Sequence, residues 1–480
     1  MSDPRGFMKY ERKDNPFRPI GERIKDFNEL EDELDEKERR KQAARCMNCG
    51  VAHCHHGIFF DGRLVGGCPN DNLIPEWNDL VSLEQDRMAF DRLTKTNPLA
   101  EFTGLVCPAP CELSCNEALN GQGITIRNNE HFIIEKGFAN GWVKDQGKPV
   151  QKNGLKVAVI GSGPAGLAAA WRLTQLGYSV SVYEKADRPG GLLMYGIPNM
   201  KLPKEMVARR VKIMEELGVL FHLQTEVGVD VTLEELKSEY LRVLVCIGAE
   251  KPRDLPVNGR NLGGIEFAVD FLAQVTRDLL AGKQNLQQTL KGKNVLVVGG
   301  GDTGNDCIGT AVRLGAASIY QVDNHPEPLL KRKPDNPWPE YPRVKKVGYG
   351  QAEAQEVFNQ RITEYERTVI GFTGSNGQVK HAQLAVVKNH EPEQRVKKTL
   401  PVDLVLLAMG FAGPRDDMLD NFEIQATDPH SRHDYSTNDE QVFIAGDARR
   451  GSSLVIWAFN EGKLAAQALA ESLKTGTAVL

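Results

Sequence analysis

The stretch Lys156–Gly191, KVAVIGSGPAGLAAAWRLTQLGYSVSVYEKADRPGG, constrains the fold more than any other part of the chain. Val157-Ala158-Val159-Ile160 run directly into Gly161-x-Gly163-x-x-Gly166. An Ala/Leu-rich segment then reaches Gly177, and a second apolar run, Ser179–Tyr183, ends at Glu184. A continuous apolar run entering a glycine turn predicts a buried parallel strand, and the segment after it predicts a helix. This is the βαβ arrangement that holds a dinucleotide. Gly161 permits the tight turn, Gly163 lets backbone approach a pyrophosphate, and Gly166 lets helix pack close to strand. The helix N-terminus offers free N–H groups to the phosphates. Glu184 is placed to accept from a ribose 2′-OH and would repel a 2′-phosphate, which favours FAD or NAD over NADP at this unit. An ordinary glycine-containing βα turn is the competing reading; strand, helix and acid all in place weigh against it.

The pattern recurs after Lys293: NVLVVGGGDTGNDCIGTAVRLGAASIYQVDN carries Gly299-x-Gly301-x-x-Gly304, a helix ended by Gly315, and a strand ending at Asp323. Two such units imply two dinucleotides. Asp323 could take a ribose 2′-OH, whereas Arg313 and Lys331-Arg332-Lys333 could bind a 2′-phosphate, so the motif leaves NADH and NADPH open. A last apolar strand, Gln441–Ala445, ends at Gly446-Asp447 before a helix over Ser453–Leu473. Asp447 suits ribitol hydroxyls, and the helix N-terminus suits negative charge on a reduced flavin; a plain strand–turn–helix is an equal reading of this segment alone. The expected flavin contacts are Gly161, Gly163, Ala165, Gly166, Glu184, Lys185, Gly191, Leu192, Gly248, Gly446, Asp447 and Trp457. Those expected for the nicotinamide dinucleotide are Gly299, Gly301, Asp302, Thr303, Gly304, Asn305 and Arg313.

At 480 residues the chain is expected to form about three domains. Charged residues make up 26% and apolar residues 41%, enough for a sizeable core, and a net charge of −5 gives no reason to expect nucleic acid or an anionic membrane as partner. No apolar run reaches the roughly 18 residues of a membrane span. The start, Met-Ser-Asp-Pro-Arg, lacks an apolar leader, so a cytoplasmic, reducing location is expected.

Seven of the nine cysteines lie between Cys46 and Cys115. Cys46-x2-Cys49-x4-Cys54 is followed by Cys68, then by Cys107, Cys111 and Cys115. Thiols this crowded in a reducing compartment point to metal. Iron–sulfur clusters take four thiolates each, often with one from a distant segment. Zinc would take four thiolates or a Cys/His set, and His53, His55 and His56 lie nearby. Seven thiols fill one four-ligand site and leave a second one ligand short. Cys246 and Cys307, each inside an apolar run, read as core thiols. Residues 1–30 are polar with little periodicity, and Glu29–Arg45 predicts a helix with acids early and bases late. Pro75–Lys95 predicts one or two amphipathic helices with Trp77, Leu80, Leu83, Phe90 and Leu93 as core. Residues 140–155 read as a linker, and Pro326–Pro342, with six prolines, as an irregular loop.

The residues that combine these features resemble the small (beta) subunit of bacterial glutamate synthase. The resemblance covers nearly the whole chain. It is carried by Arg45-Cys-Met-Asn-Cys49-Gly, Ile74-Pro-Glu-Trp-Asn-Asp-Leu-Val81, Glu101-Phe-Thr-Gly and Cys107-Pro-Ala-Pro-Cys-Glu112. It continues in Gly190-Gly-Leu-Leu-Met-Tyr-Gly-Ile-Pro198, Pro252-Arg-Asp-Leu-Pro256, Gly299-Gly-Gly-Asp-Thr-Gly304 and Ala445-Gly-Asp-Ala-Arg-Arg-Gly-Ser-Ser-Leu-Val-Ile-Trp457. Related flavoproteins share the module, among them the N-terminal half of dihydropyrimidine dehydrogenase and the ferredoxin–NADP transhydrogenases.

The resemblance implies an oxidoreductase in which NADPH reduces FAD. Two [4Fe–4S] clusters then carry single electrons to a large (alpha) subunit that makes glutamate from glutamine and 2-oxoglutarate. It implies an α/β fold: a helical iron–sulfur domain (1–150), then two Rossmann-like domains arranged as in adrenodoxin reductase. The NADPH domain (286–400) is inserted into the FAD domain (151–285 and 401–480). It also implies that Glu130 completes the second cluster, with Cys46, Cys49, Cys54 and Cys115 on one cluster and Cys68, Cys107, Cys111 and Glu130 on the other. No protein acid or base is required, because the chemistry belongs to the cofactors. The thirteen residues between Cys54 and Cys68, His55–Gly67, are longer than the family's usual spacing. With no N-terminal Cys nucleophile for a glutaminase, and no residues left for an FMN barrel, a hetero-oligomer with the large subunit is expected. The alternatives are a related NAD(P)H-dependent oxidoreductase serving ferredoxin or another acceptor, and a non-enzymatic zinc-bearing scaffold.

Overall fold

A computed structural model describes residues 5–60, 63–149, 151–389, 391–422, 424 and 434–476. The first four residues, on which the expectation of a leaderless start rests, and the tip Asp61–Gly62 of the 55–67 loop lie outside the described residues.

Two parallel five-stranded sheets carry the two glycine motifs. The first has the spatial order Val442–Ile444, Arg242–Val245, Lys156–Ile160, Ser179–Glu184, Leu220–Leu223. Lys156–Ile160 sits in the middle, with Val157 opposite Val180 and Ala158 opposite Val243. Its four apolar residues are buried, as expected of a strand covered on both faces. The glycine helix that follows, Pro164–Gln175, begins with Pro at a position where no N–H is lost, and Gly177 at φ +91° ends it. The helix packs on the closing helix, Val455–Gly476.

The second sheet has the order Thr363–Glu364, Ser318–Val322, Asn294–Val298, Leu404–Leu407, Ile265–Phe267. An antiparallel sheet built on Arg367–Ser375 and Gln378–Lys388 stands beside it. This topology moves two boundaries expected from the sequence. Ile265–Phe267 and the helix Ala268–Leu280 belong to the second unit, as does Leu404–Leu407, because the strands pair into its sheet. The chain enters that unit at Lys251–Pro252 and leaves it at Phe411–Gly413, and these two short strands pair antiparallel.

The N-terminal domain is a helical bundle. Pro75–Lys95 forms two helices, Ile74–Ser82 and Asp86–Thr94, with Trp77, Phe90 and Leu93 fully buried and Leu83 39% exposed at the turn between them. The helix expected over 29–45 is confined to Glu36–Ala44. Asp35 caps it by accepting from the Glu38 N–H, while upstream Leu30 lies outside the helix and donates its N–H to the Met200 carbonyl at 3.1 Å.

Residues 17–30 are a strap and not a loose leader. Phe27 and Leu30 enter the core of the second unit with Met200, Phe271 and Ile308. Each such burial contributes about 1.5–3 kcal/mol. Arg23 pairs with Glu353 at 2.6 Å, and Arg313 Nε donates to the Asp26 carbonyl at 2.9 Å. No helix of the described residues is long and apolar enough to cross a membrane.

Candidate functional site

The first glycine turn lies at the carboxyl end of the central strand, between the ends of its neighbours. A Cβ on Gly166 would stand 1.9 Å from the Gly161 carbonyl oxygen, so only glycine permits this approach of helix to strand. Gly163 differs: a Cβ there meets nothing within 4 Å, and the helix start has no side-chain cap. Open space in front of uncapped helix N–H groups fits a pyrophosphate. Glu184 is buried, and its carboxylate accepts from Ser162 N–H at 3.0 Å and Ala186 N–H at 2.8 Å. Ser162 Oγ in turn accepts from Gly190 N–H at 3.0 Å, which ties the turn to Gly191 and Leu192.

Gly446 reaches the same place from the last strand, its backbone against Ala165. Asp447 follows and accepts from Ser453 Oγ at 2.8 Å, and burial raises its carboxyl. Trp457 lies 3.8 Å beneath the Arg450 guanidinium and 5.7 Å from Phe59 of the 55–67 loop. Lys185 is engaged with Glu250 at 2.5 Å. Gly161, Gly163, Ala165, Gly166, Glu184, Gly191, Gly446 and Asp447 are thus gathered at the carboxyl end of the sheet, and the arrangement fits a flavin dinucleotide. Sequence reasoning missed Glu461, which accepts from Gly446 N–H at 3.1 Å and from Arg449 at 2.8 Å and so fixes the Gly446–Asp447 turn. Its only signal was an acid amid the apolar residues of the closing helix.

The second glycine turn repeats the geometry. Gly301 caps Asp302–Arg313 with no side-chain cap, and a Cβ there also meets open space. Asp302, Thr303 and Gly304 occupy the first turn, and Asn305 Oδ1 accepts from Gln351 N–H at 3.1 Å. Asp323 lies over Gly300 and accepts from His325 Nδ1 at 2.8 Å. Arg313 does not belong to this site. It sits in the last helical turn, fully buried, paired with Glu353 at 2.6 Å. Its position at the far end of the helix aims it at the strap, so the expected 2′-phosphate contact from Arg313 is corrected. Arg332 donates to the Asn336 and Glu340 carbonyls, which fold the proline-rich loop.

The N-terminal thiols sort into two groups. Cys46, Cys49, Cys54 and Cys115 line one concavity. The thiol neighbours that act on Cys46, Cys54 and Cys115 all come from this set. Cys68 acts on Cys107 and Cys111, Cys107 acts on Cys111, and all three feel Glu130. The folds that deliver them are short. Cys46 follows the helix Glu36–Ala44, Cys107 closes Ala100–Val106, and Cys111 sits in the single turn Pro110–Leu113. Burial pushes the Cys46 and Cys68 thiols up to about 12. Bare thiolates are therefore disfavoured, and a cationic iron centre offsets that cost.

Among the described residues no three His, Cys, Asp or Glu side chains close tightly enough on one point to hold a single metal ion. Thiols gathered in two groups suit cubanes, in which each thiolate binds a different iron. Asn78 adds a second sign of fit: fully buried on the wall of the first concavity, its Nδ2 has no acceptor but the Cys46 thiol. Such donors serve cluster sulfurs. Glu130 accepts from Asn97 Nδ2 at 2.8 Å and from Thr103 Oγ1, and burial pushes it up to about 7. His53 engages Asn116 and Trp338, and His56 engages Asp71. Cys246 and Cys307 are buried core thiols.

Residues 155–462 match the pyridine nucleotide-disulphide oxidoreductase family, and residues 23–142 match dihydropyrimidine dehydrogenase domain II, 4Fe-4S cluster. The glutamate synthase [NADPH] small chain of Bacillus subtilis (strain 168) is 44% identical over 96% of this chain and 97% of its own length. The counterpart of that name in Escherichia coli (strain K12) is 31% identical over 96% of this chain and 97% of its own length. The glutamate synthase [NADH] of Saccharomyces cerevisiae is 40% identical over 99% of this chain, which spans 22% of that longer protein. FprA of Mycobacterium tuberculosis, solved in complex with NADPH, shares the fold at a TM-score of 0.51 and 19% identity, over 68% of this chain and 86% of its own.

Proposed function

Because the chain belongs to the family of glutamate synthase small chains, we propose that it is the electron-input chain of a glutamate synthase, acting in the cytoplasm with a separate large chain. It is an NADPH-dependent oxidoreductase of the flavin and iron–sulfur type. When bound, NADPH, FAD and two [4Fe–4S] clusters supply hydride transfer and its division into single electrons.

The protein's own residues bind, orient and shield. The uncapped helix start at Gly163 offers its N–H groups to the FAD pyrophosphate, and the one at Gly301 to that of NADPH. Glu184 holds the flavin-side ribose hydroxyls and Asp447 the ribitol. Cys46, Cys49, Cys54 and Cys115 hold one cluster; Cys68, Cys107, Cys111 and Glu130 hold the other. Asn97 and Thr103 orient the Glu130 carboxylate for that role.

The observation that carries this reading is the separation of eight candidate ligands into two groups inside one bundle that packs on the flavin unit. The fully buried Glu101–Arg210 pair, at 2.6 Å, joins bundle to flavin unit, and Phe102 stacks on Phe459 of the closing helix at 5.9 Å. A donor of electron pairs feeding single-electron centres implies an acceptor elsewhere. The yeast relative, which carries the corresponding region as 22% of one long chain, supports a large partner. The test is reconstitution of the purified chain with a glutamate synthase large chain. NADPH oxidation is expected to require both glutamine and 2-oxoglutarate; no association, or oxidation independent of either substrate, overturns the reading.

A further inference from the structure

The closing helix touches the flavin unit and the cysteine bundle at once. Trp457 lies in its first turn at the flavin side. Asn460 and Lys463, three residues apart and therefore on one face, grip the bundle. Asn460 Nδ2 donates to the Pro69 carbonyl at 3.0 Å. Lys463 Nζ donates to Asn70 Oδ1 at 2.7 Å and to the Thr96 carbonyl at 2.9 Å.

Both grips fall beside ligands of the second thiol group. Pro69 and Asn70 follow Cys68 directly. Thr96 precedes Asn97, whose amide holds Glu130. Asn70 Nδ2 closes the ring by donating to the Thr96 carbonyl at 2.9 Å. The acceptors of Lys463 are a neutral amide oxygen and a neutral carbonyl, so these bonds fix the ammonium without cancelling its charge. Cys68 exerts the largest Coulombic influence on it. Burial pulls the ammonium down to about 8, which leaves it mostly protonated at neutral pH.

We propose that Lys463 is a positioning residue of the electron path: it ties the Cys68 and Glu130 stretches to the flavin-side helix, and its charge raises the reduction potential of the centre they hold. A reduced cluster carries one more negative charge than an oxidised one, and a fixed cation in a poorly solvated place stabilises it. The inference rests on the reading of Cys68, Cys107, Cys111 and Glu130 as cluster ligands.

The test is a redox titration followed by electron paramagnetic resonance on the full-length chain: wild type, Lys463→Gln, Lys463→Arg and Asn460→Leu, with flavin and iron content measured in each. In Lys463→Gln one cluster signal is expected to titrate lower, its reduced-to-oxidised ratio at the wild-type midpoint falling about tenfold, which is about 59 mV for a one-electron couple. The other signal stays in place. Lys463→Arg keeps the wild-type midpoint, and so does Asn460→Leu, which loosens the grip without changing charge. An unmoved midpoint in Lys463→Gln overturns the proposal, as does an equal shift in Asn460→Leu. Should Lys463→Gln fail to load iron, a shifted midpoint in Lys463→Arg overturns it, and a wild-type one in a loaded chain supports it. Absence of iron–sulfur signals from wild type would instead sink the cluster reading itself.

Discussion

Arg313 and Glu353 meet at 2.6 Å with both side chains fully withdrawn from water, and Arg23 of the strap reaches the same carboxylate from the other side. Removing the shared anion leaves two buried guanidinium groups uncompensated. Glu353→Gln is expected to lower stability by about 3–5 kcal/mol, read as a lower urea midpoint. Arg313→Lys is expected to weaken folding while leaving the ratio of NADPH to NADH turnover unchanged. A selective loss of NADPH affinity would return Arg313 to the nucleotide site.

The two kinds of glycine in the fingerprints separate binding from folding. Gly301→Val places its side chain in open space, so the urea midpoint should hold while the KM for NADPH rises more than about tenfold, a loss of about 1.4 kcal/mol or more. Gly166→Ala, by contrast, drives a methyl into the Gly161 carbonyl and should unfold the flavin unit first. Equal nucleotide affinity in Gly301→Val would refute the placement of the pyrophosphate.

Cys107 closes a helix of the bundle and lies among Cys68, Cys111 and Glu130. Cys107→Ser is expected to remove one of two cluster signals and abolish NADPH oxidation coupled to the large chain. Flavin content and reduction of an artificial dye by NADPH should persist. Loss of flavin in parallel would mean that bundle and flavin unit do not divide the work.

Lys204 is buried, and its Nζ donates to the Leu193 carbonyl at 2.9 Å and the Ile197 carbonyl at 2.5 Å. Burial depresses it to about 7. A neutral amine has two N–H donors, and two carbonyls accept them. Between pH 7 and 10.5 the unfolded chain holds the proton that the folded chain has released, so stability from this group rises with pH and is lost as pH falls through 7. Relative to Lys204→Met, the wild type should gain about 1.4 kcal/mol per pH unit across pH 7–9. Parallel pH profiles of the two urea midpoints would contradict this.

Much of the flavin site is legible in the sequence, because a glycine turn leaves a local signature: Gly161, Gly163 and Gly166 serve contacts made within one βαβ unit. The pairing of Leu404–Leu407 was not legible. A buried apolar strand reads the same whichever sheet it joins, and only its register with Val295–Val298 shows which. Arg313 was misread because a cation near a nucleotide motif suits both a phosphate and a carboxylate that lies forty residues away. The strap went unseen since its hold depends on two apolar side chains and several backbone bonds, none of which has a period. Glu461 was hidden for a related reason: its partners, Gly446 and Arg449, belong to a turn that the helix meets only in three dimensions.

The strap also sets an order on biosynthesis. Arg23 and Glu353 are 330 residues apart. At roughly 5–20 residues per second a ribosome needs on the order of 15–65 s to make the interval between them. Met200, Phe271 and Ile308 are made earlier and begin to cover Phe27 and Leu30, but Arg23 has no anion to meet until Glu353 follows. The strap, among the first pieces to leave the exit tunnel, is therefore locked only after most of the chain has been made, with the strand Val442–Ile444 and the closing helix of the flavin unit still to follow.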